Sequence, residues 1–359
     1  MTGFARPLAG VSVTELERAV CDATAVPFAV AVRTSPAALH LALVVHGVQP
    51  GDEVILPTLA PAWLAGVVRG LGAQPVLVDC EPRAWTVDPA IVAEALSARR
   101  RAGGRVAAVI ASHLLGQCAD MDSLRRVCDL AAVPLIEDAS HALGGDYRGR
   151  SPGVTGACGI YAMGEETGAR GVGSVLVSTN ATLAHGVREL AARLTDRDLA
   201  WADTVEGHRM MLDDAEAERV HRTVEGLADR VQLRRALHDR YVERCAKWPG
   251  IVFQSEMPWG RHVRWRSCLR LKSETTSCQR DAMISHLAAH GVHATALWRP
   301  LHLDPHYSES PRFLTGSAEL LHAQVLCLPM DHRMHDRDVD RYTDVMAQYW
   351  FGRARQADR

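Results

Sequence analysis

Short apolar runs that alternate with amphipathic helices constrain this chain more than any single motif does. "FAVAVRTS", "GDEVILPT", "QPVLVDCE", "RVAAVIASH" and "VPLIEDAS" each carry a nearly unbroken run of buried-type residues. Between them lie the helical "PAALHLALVVHGV", opened by Pro36 in its first turn, "PAWLAGVVRGLG" and "DMDSLRRVCDLAA", capped by an acidic residue. Strands without polar alternation need cover on both faces, and intervening helices supply it through crossover connections. The expectation is an α/β chain built on a doubly wound, mostly parallel sheet.

At 359 residues the chain is long for one core, which predicts a large domain and a smaller one. From about Ala181 to Trp248 the pattern turns to long, Arg-rich helical periodicity, and Pro249-Gly250 stops it. Beyond lie a strand "WRSCLRLK", a helix "QRDAMISHLAAHG", a loop "LWRPLHLDPHY" and a closing helix from about Asp336. We expect a large α/β domain over residues 1–240 and a small C-terminal α/β domain over 241–359. At the other end, Val13 to Cys21 predicts an amphipathic helix with Thr14 as its cap.

Composition removes several function classes. Forty basic residues against forty-two acidic ones give a net charge of −2 with no basic face, which argues against nucleic acid as partner. No apolar run approaches the roughly 18 residues of a membrane helix, and the N-terminus lacks a signal-peptide profile, so a cytoplasmic protein is expected. Nine cysteines without a CxxC pair fit a reducing compartment. Among seventeen histidines none forms HExxH; His332 and His335, three apart, could share a helix face, but a solvated helix entry is the preferred reading and no metal is expected. Nearly all the basic residues are arginine. Only Lys247 and Lys272 are lysine.

Taken together, "VTELERAV", "AALHLALVVHGVQPGDEVILPT", "GAQPVLVDCEPRAWTVDP", "HLLGQCADMDSL", "PLIEDASHALGGDYRGRSPG", "WRPLHLDPHY" and "LCLPMDHRMHDRDVDRY" resemble the DegT/DnrJ/EryC1/StrS family, in family order over nearly the whole length. The resemblance implies the fold type I aminotransferase architecture, a homodimer with active sites at the interface, and pyridoxal phosphate (PLP) chemistry. It implies that Asp138, at the end of a strand, pairs with the pyridine nitrogen of the cofactor, and that His141 lies where relatives touch the ring hydroxyl. Glu137 is expected to face away.

Relatives then carry a segment like "FSFHATK…EGG" whose lysine bonds the cofactor as a Schiff base. Laying "GIYAMGEETGARGVGSV" on it places Glu165 at the lysine, with Glu166 one register step away. A carboxylate cannot form a Schiff base, and Lys247 and Lys272 lie far along the chain. Other supports differ too. The family's phosphate turn reads Ser35-Pro36-Ala37, losing an N–H and a hydroxyl; its phosphate-binding serine aligns with Ile160; the ring-stacking position reads Pro61.

These departures lead to one main expectation and two alternatives. The main one is an enzyme of secondary-metabolite or amino-sugar biosynthesis, the antibiotic type included, that needs no PLP. It would run acid–base chemistry such as dehydration or cyclisation with Glu165, Glu166, Asp138 and His141. Trp63, Tyr161, Trp298, Arg299 and His302 would bind the substrate, each having a bland packing or pairing role as its rival reading. No cofactor is expected, and PLP or PMP could be held only non-covalently. The first alternative is a catalytically silent subunit paired with a lysine-bearing paralogue. The second is a PLP- or PMP-dependent sugar aminotransferase or dehydratase of unusual type.

Overall fold

The computed structural model describes residues 11–163, 172–194, 210–271 and 277–357. Fourteen strands are formed among them: β1 (Phe28–Val32), β2 (Glu53–Pro57), β3 (Gln74–Val78), β4 (Val106–Ser112), β5 (Leu135–Asp138), β6 (Asp146–Tyr147), β7 (Cys158–Ala162), β8 (Ser174–Ser178), β9 (Ile251–Phe253), β10 (Gly260–Arg261), β11 (Ser267–Leu271), β12 (Thr295–Ala296), β13 (Arg312–Phe313) and β14 (Val325–Leu328). The helices are α1 (Val13–Thr24), α2 (Ser35–Val45), α3 (Ala62–Gly70), α4 (Pro89–Arg101), α5 (Met121–Ala131), α6 (Ala181–Arg193), α7 (Asp214–His221), α8 (Leu227–Cys245), α9 (Ser277–Ala289), α10 (Ser317–Gln324) and α11 (Asp336–Ala357).

Eight strands form one sheet in the order β1-β8-β7-β5-β4-β2-β3-β13. Only β8 runs against its neighbours; the rest are parallel. This is the expected mostly parallel sheet, and every residue of β2, β5 and β8 is buried. One face packs on α2, α3 and α6 through Leu39, Leu43, Leu64 and Val187. The other packs on α4 and α5 through Ile91, Val92 and Leu124. A second, antiparallel sheet, β12-β14-β11-β9, has its own core with α8, α9 and α11.

Three details differ from the sequence expectation. Helix α1 begins at Val13 as expected, but Ser12 rather than Thr14 is its cap, accepting from the N–H of Glu15 while the Glu15 carboxylate returns a bond to the Ser12 N–H, and the helix runs on to Thr24. The expected boundary at 240/241 falls inside α8, whose Leu237, Tyr241 and Cys245 already belong to the second core. That helix ends at Cys245, before Pro249. His332 and His335 lie exposed at the entry to α11, the reading preferred from the sequence, and each sits beside an aspartate. No group of three or more metal-type ligands occurs among the described residues.

β13 was not anticipated. It comes from the C-terminal part of the chain yet adds to the large sheet beside β3. Asp79, at the end of β3, anchors it there. The buried carboxylate accepts from the backbone N–H groups of Thr315, Gly316, Ser317 and Ala318, at the first turn of α10. No described helix is long and apolar enough to cross a membrane.

Candidate active site

Parallel strands present their carboxyl ends on one edge, and β4 and β5 end side by side with Ser112 opposite Asp138. The Asp138 carboxylate is buried there. One oxygen accepts from the Ser112 hydroxyl at 2.7 Å, the other from the Ser140 N–H at 3.2 Å. Side-chain alternation along β5 turns Glu137 to the opposite face, as expected. Glu137 is fully buried and accepts from His113 Nε2 and from the N–H groups of Gly153, Thr155 and Gly156. It folds the 152–156 turn against the sheet.

His141 lies one turn beyond Asp138, and its imidazole is layered between two indoles. Trp265 stacks on one side at 5.1 Å between centroids and Trp298 on the other at 5.6 Å, with interplanar angles of 22° and 18°. Both tryptophans come from the C-terminal part of the chain, Trp265 just before β11 and Trp298 just after β12. The outer face of Trp265 carries the Arg234 guanidinium at 5.3 Å. A cavity of about 240 Å³ opens beside this stack, with Arg266, Thr295 and Cys327 also on its wall. The Ser140 hydroxyl, buried next to Asp138, makes no hydrogen bond among the described residues.

The expected substrate-binding residues divide. Trp298 is at the cavity. Tyr161 is not: it is fully buried, its hydroxyl donates to the Pro152 carbonyl, and burial pushes that hydroxyl well above the usual phenol range. It is a core side chain because β7 is central and covered on both faces. Trp63 is half-buried on α3 and packs against the large core. His302 is held between the Thr58 hydroxyl at 2.7 Å and Glu319 at 2.9 Å. Arg299 is exposed and donates to the Leu303 carbonyl. Glu165 and Glu166 lie outside the described residues. Sequence reasoning missed Ser112, Ser140 and Trp265; a hydroxyl at the end of one strand beside a carboxylate at the end of the next was the only local signal.

The residues present fit a PLP-type cofactor better at the ring end than at the phosphate end. A buried carboxylate with both oxygens fixed suits a protonated pyridine nitrogen. At the start of α2, the Thr34 hydroxyl already accepts from the Ala37 N–H, Pro36 has none to give and the Ser35 hydroxyl donates to Ser174 at 3.4 Å, which leaves the N–H of Ser35. Ile160 is packed in the core. Lys247 is exposed just past the end of α8, and Lys272, directly after β11, lies outside the described residues.

Similarity to known proteins extends over this whole framework. The profile of the DegT/DnrJ/EryC1/StrS aminotransferase family matches residues 5–347. EpsN of Bacillus subtilis (strain 168), named provisionally as a pyridoxal phosphate-dependent aminotransferase, is 30% identical over 342 residues, covering 94% of this chain and 87% of that protein. The dTDP-3-amino-3,4,6-trideoxy-alpha-D-glucose transaminase of Streptomyces venezuelae is 32% identical over 336 residues, covering 92% and 84%. Among solved structures, S. venezuelae DesV in complex with a ketimine intermediate superposes with a TM-score of 0.81 at 28% identity, covering 96% of this chain and 91% of that one.

Two expectations fall to these relatives. The main reading, an enzyme that has given up PLP for acid–base chemistry, is contradicted, and so is the expectation of no cofactor: relatives of this identity and coverage are named for transamination and for PLP. The physical error was to let one aligned segment without a lysine and a changed turn stand for the whole site, when a buried carboxylate with both oxygens hydrogen-bonded ends β5. The fold, the aligned length and the strand-end carboxylate agree, and the chain belongs to the DegT/DnrJ/EryC1/StrS aminotransferase family.

Proposed function

We propose that this chain is a PLP- or PMP-dependent enzyme acting on a small sugar, an aminotransferase or related dehydratase that holds its cofactor by contacts rather than through a lysine. Asp138 is the observation that carries the reading: a buried carboxylate at the sheet's open edge, fixed by Ser112 and the Ser140 N–H. The sugar substrate is supported by the relative named for a dTDP-amino sugar. Bound in the cleft, the cofactor supplies an electron sink for the carbon that bears the nitrogen.

The chain's own residues supply the rest. Asp138 holds the proton on the ring nitrogen. The Ser112 hydroxyl and the Ser140 N–H keep that carboxylate aimed. His141, three residues beyond Asp138, is held by stacking on Trp265 and Trp298 at the wall of the cavity. Proton transfer falls to Glu165 or Glu166 in this reading. A cytoplasmic homodimer with sites at the interface completes it.

Reversible binding tests the proposal. Purified protein titrated with PLP or PMP should give a saturable absorbance change. Dialysis should remove the ligand, and borohydride, which reduces Schiff bases, should fix none of it to the chain. Asp138→Asn should weaken binding at least about tenfold, the loss of one charge-assisted bond. No binding of either form would sink cofactor dependence, and covalent capture would sink the contact-only part. The sparse donors at the start of α2 favour one second reading, a silent subunit paired with a lysine-bearing paralogue. Its mark is activity that appears only in the mixed complex.

A further inference from the structure

Cys268 and Cys327 face each other directly across β11 and β14 in antiparallel register. Their sulfurs are 3.2 Å apart, and both side chains are buried, at 1% and 5% exposure. Opposed residues in an antiparallel pair have Cα atoms about 4.5–5.5 Å apart, inside the roughly 4.4–6.8 Å that a disulfide spans. All nine cysteines are free thiols, and no other two share a strand register in this way among the described residues. The pair is not sealed off, since Cys327 lies on the wall of the 240 Å³ cavity with His141, Trp265 and Trp298.

We infer that Cys268 and Cys327 are an oxidation site of this chain, closing to a cross-strand disulfide by exchange with a small-molecule disulfide that enters from the cavity. The exchange balances in two steps. The Cys327 thiol loses its proton, and its sulfur attacks one sulfur of RSSR; the S–S bond breaks, and RS⁻ leaves and takes up that proton. The Cys268 sulfur, also deprotonated, then attacks the protein-bound sulfur and displaces the second RS⁻, which leaves as RSH. Two protein thiols are oxidised to one disulfide and RSSR is reduced to two RSH. The product ties β11, the strand that follows Trp265, to β14, and so fixes one indole of the stack on His141 against the small sheet.

Burial, with the neighbouring Cys327 thiol adding to it, holds the Cys268 thiol well above the ordinary range. Closure is therefore slow at neutral pH and faster as pH rises. This gives the site a kinetic signature that separates it from Cys278, the exposed thiol at the start of α9.

The full-length protein, incubated with oxidised glutathione, quenched by alkylation in denaturant and peptide-mapped, tests the site. The expected result is a linked pair of peptides carrying Cys268 and Cys327, with two fewer alkylatable thiols. Reductant should reverse it, and its rate should rise with pH. A simple glutathione adduct at Cys278 serves as the internal clock. The oxidised protein should melt a few degrees higher than the reduced one. Cys268→Ser should abolish the link while the Cys278 adduct still forms; Cys327→Ala gives the same reading if that variant does not fold. Alkylation of both Cys268 and Cys327 after prolonged incubation at raised pH, long past complete conversion of Cys278, overturns the inference. So does a glutathione adduct that stays on Cys327 without closing, or a link that joins either cysteine to a different one.

Discussion

Replacing Glu137 by glutamine removes one proton acceptor from a place where four donors converge. One oxygen accepts from His113 Nε2 at 2.9 Å and Gly153 N–H at 2.8 Å; the other accepts from Thr155 N–H at 2.6 Å and Gly156 N–H at 2.5 Å. An amide offers one oxygen and turns an NH₂ towards the opposite pair. His113 cannot rescue its side by changing tautomer, because its Nδ1 already accepts from the Ala119 N–H. Glutamine therefore leaves two buried N–H groups without an acceptor in either orientation, at about 1–3 kcal/mol each. The sum is about 2–6 kcal/mol, a large part of the stability of a typical domain. At about 2–4 °C per kcal/mol for a lobe of this size, the thermal midpoint should fall by at least about 4 °C. Calorimetry of the two proteins checks this, with Glu218→Gln on the exposed side of α7 as the control expected to stay within about 0.5 kcal/mol. A Glu137→Gln protein that melts with the control would refute the claim that this carboxylate holds the 152–156 turn.

Two more outcomes follow from buried contacts. Burial alone would raise Asp79, but the N–H groups of Cys80, Thr315 and Ala318 and the Thr315 hydroxyl outweigh it and hold its pKa below the usual aspartate value. A depressed carboxylate contributes stability that is complete above its unfolded value of about 3.9 and is lost as pH falls through the folded one; Asp79→Asn should flatten the acid limb of a melting-temperature profile below pH 4, and an unchanged limb would count against it. In β7, a methyl on Gly159 would meet the backbone carbonyl and Cα of Gly153, neither of which can swing aside. Gly159→Ala should yield little soluble protein, whereas Gly149→Ala, which meets nothing, should express normally despite its strained φ.

What could be read in the sequence follows from how local each signal was. The strands of the large sheet announced themselves because each buries both faces, so apolar residues run on without alternation. β13 gave no such signal. It has two residues, Arg312 and Phe313, and exists because Leu77 donates to Pro311 and Asp79 to Phe313 across a long stretch of chain. Helix α1 was found but its cap was misassigned, since the capping-box pair of Ser12 and Glu15 competes with a threonine that looks equally able.

The candidate site shows a sharper version of the same limit. Asp138 was legible because a polar residue ending an apolar strand is a local anomaly. What makes it effective was not, because Ser112 belongs to a different strand and the Ser140 contribution is a backbone N–H, which no side-chain pattern encodes. His141 was singled out from the sequence, yet its two stacking partners come from the other end of the chain, where tryptophans read as packing. A reading confined to side chains thus sees each side-chain donor that differs from the family pattern and little of the backbone donors and distant rings around Asp138 and His141. That imbalance turned a site with a changed phosphate turn and no lysine at the aligned position into one with no cofactor at all. Backbone donors and distant rings cost nothing in local composition, so loss is visible in a sequence well before retention is.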